Sequence, residues 1–161
     1  MDELFWDDRL TELYDIWRTK KGDRLAPTRA DFDPTELFAL MPIVNLIDVF
    51  WEPMGFRHRL VGTELTERMG RDVTDRWVDA ELYGDAATDI FEGLRAVATE
   101  VRPYRRRARL DWYKQHWLTT EAVEMPILGP DGTINMILRG ATFIVRSERL
   151  PERLDYRPLA A

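Results

Sequence analysis

The chain predicts an α+β domain: a five-stranded antiparallel sheet with helices on one face, preceded by an N-terminal amphipathic helix. Three observations lead there. Two β-rich stretches, 43–51 and 56–62, stand before a helical block, and three more, 104–112, 116–128 and 133–145, stand after it. Turn signals join the strands within each group, at Pro53-Met54-Gly55 and at Gly129-Pro130-Asp131-Gly132. The helical block between them carries apolar residues on one side, so it needs a sheet face to cover.

Trp6, Leu10, Leu13 and Trp17 recur at helical spacing, with Tyr14 beside them and acidic residues on the other faces. Two tryptophans on one stripe demand cover. That cover is either the chain's own sheet or a second copy, which makes these four residues the candidate interface. A polar connection follows, ending at Asp33-Pro34-Thr35-Glu36. Asp33 suits the N-cap, Pro34 the first helical position and Glu36 the reciprocal place of a capping box, opening a short helix that stops before Pro42.

The stretch 43–51 is nearly all apolar and reads as a central strand interrupted by Asn45 and Asp48. In the next strand Phe56, His58, Leu60 and Gly62 alternate with Arg57, Arg59 and Val61. Thr63 then suits the cap of a helix over 64–69 that Gly70 closes, with Gly62 leaving the corner bare. One or two short helical turns are expected over 71–82. Tyr83, Ala87, Ile90, Leu94, Val97 and Val101 step by fours and threes, which predicts one long helix with a buried side. The last three strands form a meander, and from Ser147 onward two prolines and weak periodicity indicate a tail. The domain limits that follow are 1–28 for the helix and connection, 29–146 for the sheet domain and 147–161 for the tail.

At 161 residues the chain fits one domain that buries roughly 70% of its unfolded surface. Hydrophobic content of 45% excludes a disordered polymer, and a formal net charge of -6 opposes nucleic acid and anionic membranes as partners. Nothing resembles a signal peptide or the ~20 apolar residues of a spanning helix, so a cytoplasmic location without membrane insertion is expected. With no Cys, disulfides, thiolate metal sites and cysteinyl cofactor adducts are excluded.

Several motifs, taken in order, resemble a known family. They are Arg29-Ala30-Asp31-Phe32-Asp33-Pro34, Pro42 with the strand ending near Asp48-Val49, Arg59-Leu60-Val61-Gly62-Thr63, Gly70-Arg71-Asp72-Val73-Thr74 and Met125-Pro126-Ile127. Their order resembles the PAS fold, and most closely the stand-alone bacterial PAS-like proteins of PAS family five, over residues 17–145. The resemblance implies a sensory or regulatory role and supplies no catalytic residues. Asp75 departs from the pattern, standing where similar sequences often have Gly.

Among the chemistry-bearing residues, Leu82 to Val101 contains no His, so haem would have to use His58 or His116, and no cofactor is expected. Those two histidines, with Asp48 or Glu121, lack close metal-ligand spacing, and no metal site is assigned. Carboxylate pairs such as Asp31 with Asp33 and Glu121 with Glu124 read as caps and solvated strand positions, and no enzyme signature is present. Arg105, Arg106, Arg107 and Arg109 read as a solvated strand bearing salt bridges rather than a nucleic-acid patch. The expected ligand site is a small apolar cavity under the helices, with Phe56, His58, Leu60, Trp117, Thr119, Leu138 and Gly140 as candidate lining. Each could equally be filled core. The functional expectation is a non-catalytic regulatory domain that binds a small apolar ligand or a signalling protein; the alternative is a constitutive homodimeric scaffold with a filled interior.

Overall fold

The computed structural model describes residues 4–110, 115–145 and 154–161, with backbone alone at 110, 115–117 and 145. Strands β1 (Val44–Phe50), β2 (Gly55–Val61), β3 (Tyr104–Leu110), β4 (Gln115–Leu128), β5 (Ile134–Val145) and β6 (Asp155–Pro158) form one sheet in the order β2-β1-β5-β4-β3-β6. All pairings are antiparallel. The five expected strands are present. The sixth lies in the stretch read as a tail: four residues ending in Pro158 are too short to carry a period, and they satisfy the outer edge of β3.

Helix α1 (Asp8–Lys21) is capped by Asp7, whose carboxylate accepts from the Arg9 N–H. It lies on the face of the sheet shown by Leu138 and Gly140, because a Cβ at Gly140 would come 2.6 Å from Leu13 and 3.2 Å from Leu10. Trp17 donates its indole N–H to the Pro126 carbonyl at 2.9 Å. Pro126 itself is tolerated in β4 because the pairing with β3 ends at Glu124, leaving an edge where no N–H is needed. Of the four candidate interface residues, Leu10, Leu13 and Trp17 are fully buried within the chain and Trp6 is half-buried. Trp6, just before the helix, lies against the Arg107 guanidinium, 3.8 Å from ring centre to carbon.

The other face carries α3 (Thr63–Met69), α4 (Ala80–Tyr83) and α5 (Ala87–Glu100), while α2 (Pro34–Leu37) stands beside the C-terminal end of α1. Asp33 caps α2 as expected, but Glu36 pairs with Lys20 and the reciprocal box occurs instead between Thr28 and Asp31. The helical turn also runs on past the expected stop, as a 3-10 segment Phe38–Ile43 containing Pro42. Thr63 is the first residue of α3 and Gly62 is its cap. A Cβ at Gly62 would sit 2.3 Å from the carbonyls of Met41 and Pro42, so only glycine fits this corner. The expected long helix is broken at Gly84, where φ is 58°, into α4, a 3-10 turn and α5. Beside β2, the His58 N–H donates to Arg76 and the Val78 N–H to Phe56, which covers that sheet edge. Asp75 opens this addition at φ 66°, a left-handed conformation that Asp tolerates better than most residues.

Candidate functional site

Between the sheet and α3–α5 lies a cavity of about 620 Å³. Strand alternation decides what faces it. Asn45 and Ile47 of β1 face inward, as do Arg106 and Ala108 of β3, Thr120 of β4, and Arg139 and Phe143 of β5. A bulge opposite Leu46/Ile47 breaks the alternation of β2, so that His58 and then Val61 face inward. Leu65 and Met69 of α3 and Ile90 and Leu94 of α5 supply the apolar roof.

The hollow has a polar end built from two buried networks. In the first, Nδ1 of His58 is 3.2 Å from the Asn45 side-chain oxygen, and Nε2 is 2.6 Å from the Tyr83 hydroxyl. With that oxygen as acceptor, His58 carries its proton on Nδ1 and receives the Tyr83 hydroxyl at Nε2. Burial, reinforced by the nearby Arg139 charge, pushes the His58 pKa down to about 4, so the ring is neutral at physiological pH. Burial raises the Tyr83 hydroxyl to about 12.

In the second network Glu124, only 1% exposed, accepts from Nε of Arg106 at 3.1 Å, from Nε of Arg139 at 3.0 Å and from the Tyr156 hydroxyl at 2.7 Å. Burial alone would raise the carboxyl, but Arg106 and Arg139 hold it below its ordinary range. Tyr156 also lies 2.7 Å from the Gly93 carbonyl of α5, and its ring is stacked on Tyr104 and faced by Arg106. Two guanidiniums thus share one carboxylate, and the cluster is net positive where it meets the cavity.

Of the candidate lining residues, His58 borders the cavity and Phe56 packs beside it, edge-on to Phe91 of α5 with ring centres 5.1 Å apart. Leu60 pairs with Leu46, and Leu46 with Leu138; these residues, with Thr119 and Gly140, lie on the α1 face instead. The bulge moved Leu60; for the others, the parity of β4 and β5 could not be read without knowing which face α1 takes. Trp117 and His116 lie on β4, but their side chains are outside the described residues.

Arg109 is exposed as expected, but its neighbouring arginines on β3 and the two glutamates of β4 are not solvated. Arg105 and Arg106 are buried, Arg107 donates to the fully buried Glu121 at 2.8 Å, and Glu121 also accepts from the Trp6 N–H. Asp31 and Asp33 do act as caps, at Thr28 and Thr35. Sequence reasoning passed over Tyr83, Arg106, Glu124 and Arg139 as site residues. The available signal was the pair of acids, Glu121 and Glu124, set in an otherwise apolar strand beside a strand of arginines.

A family model described as a PAS domain matches residues 7–140. The chain belongs to the PAS-domain family. No curated protein and no solved structure matches it. This PAS domain is accordingly a sensory, regulatory or interaction module, and no helix among its described residues is long and apolar enough to cross a membrane. The family match ends within β5, so β6, which brings Tyr156 to Glu124, lies beyond it.

Proposed function

We propose that this PAS domain is a non-catalytic regulatory module that takes a small molecule into the cavity under α3–α5 and transmits its occupancy to a signalling partner. The observation that carries this reading is the cavity of about 620 Å³, within the range of small-molecule sites, with apolar walls and hydrogen-bonding groups gathered at one end. Buried polar groups already held in networks favour a preformed site, since little ordering is left to the ligand. The homodimeric scaffold has less support, because Leu10, Leu13 and Trp17 of its stripe are covered within the chain and Trp6 alone is half-exposed.

A melting-temperature screen of the purified protein against a metabolite set tests the ligand half. A ligand present at 100 times its Kd stabilises by about 2.7 kcal/mol, a shift of several degrees. No shift with any compound at millimolar concentration counts against the reading.

A further inference from the structure

Resting on the ligand-binding reading above, we propose that the cavity takes a small amphipathic monocarboxylate, its head beside Arg139 and Arg106 and its apolar body against Leu65, Met69, Ile90 and Leu94. The charge balance is the first ground. Glu124 is shared by two guanidiniums, so among the described residues this cluster carries one more positive than negative charge where it meets the cavity. Arg139, its side chain 18% exposed at the cavity wall, is the cation that an incoming anion can reach.

Donor geometry is the second ground. Arg139 lines the cavity and meets Glu124 through Nε, and its terminal nitrogens make no hydrogen bond to the described residues. A guanidinium with a free edge suits a planar carboxylate. The third ground sets the ligand's valence. Asp85 and Asp89 border the same cavity on its exposed side and outnumber Arg109 there, opposing a second negative charge near the mouth. The apolar walls then select a hydrocarbon body rather than a sugar or nucleotide.

Titration of the full chain with octanoate and phenylbutanoate, each against its own primary amide, isolates the charge while holding shape constant. The acids are expected to bind at least about tenfold more tightly than the amides, since a hydrogen bond to a charged partner is lost in the amide. Arg139→Gln is expected to remove that preference and Arg139→Lys to retain most of it. Should Arg139→Gln not fold, the acid–amide ratio on the unaltered protein decides alone. Amides binding as tightly as acids would overturn the carboxylate assignment and leave the cavity reading standing. Nile red, a neutral dye, separates the remaining outcomes: dye uptake with no binding of either acid refutes the carboxylate alone, and no uptake of dye, acid or amide refutes the cavity reading too.

Discussion

The two faces of the sheet obey the same alternation and solve opposite problems. On the α1 face, Leu10, Leu13 and Trp17 fill the space so closely that β5 must present Gly140 beneath them. On the α3–α5 face, side chains of similar type leave a hollow of about 620 Å³ and bury Glu124 with two arginines. A face filled to interior density gains stability from shape; a face with a hollow gives up some of that gain, while each face buries a carboxylate, Glu121 with Arg107 on one and Glu124 with Arg106 on the other. Such a sacrifice in one specific place is what a binding module requires.

The largest expected effect comes from breaking the charged cluster. Glu124→Gln leaves the buried Arg106 and the partly exposed Arg139 without their shared carboxylate, and removing one partner of a buried pair costs about 3–5 kcal/mol. Urea unfolding should show the midpoint fall accordingly. A change below about 1 kcal/mol would mean that the arginines reach water and that the cluster is not a fixed part of the cavity wall.

Acid should weaken the same face through His58. Its folded pKa of about 4 lies below the 6.5 of an unperturbed imidazole, so the unfolded chain binds the proton more readily in between. Stability is therefore complete above pH 6.5 and is lost as pH falls toward 4, by roughly 3 kcal/mol in total. His58→Gln removes the titrating group. Its melting temperature should vary less with pH across that window than that of the unaltered protein; parallel profiles would assign the acid sensitivity to other groups.

Much of this contrast was legible in the sequence, and the missing part has a physical reason. The stripe of Trp6, Leu10, Leu13 and Trp17 marked α1, and the alternation around His58 marked β2, because each element states its own period. The sheet face that α1 covers is a tertiary fact with no local period, which is why Thr119, Leu138 and Gly140 were expected to line the cavity, and the bulge that turned Leu60 away leaves no mark in the alternation. The fate of Glu121 and Glu124 was hidden similarly. Their charge argued for water, and only the pairing of β4 with β3 brings Arg107 and Arg106 to them. β6 was too short to announce itself, although its Tyr156 completes the cluster.

The smallest effects give the sharpest test of the two faces, because they ask what each does with added volume. Gly140→Ala places one methyl 2.6 Å from Leu13 in a filled layer and should cost about 1–3 kcal/mol. Leu13→Val in the same chain should recover part of that loss, since the two residues compete for one space and their effects are not additive. Ala108→Leu adds three carbons at the border of the hollow, where there is room for them. Its cost should stay below about 1 kcal/mol, because the added groups gain contacts without displacing packed neighbours. Thermal melts of the three variants measure the difference directly. If Ala108→Leu destabilises as much as Gly140→Ala, the inner face is as full as the outer, and the hollow has no space to offer a ligand.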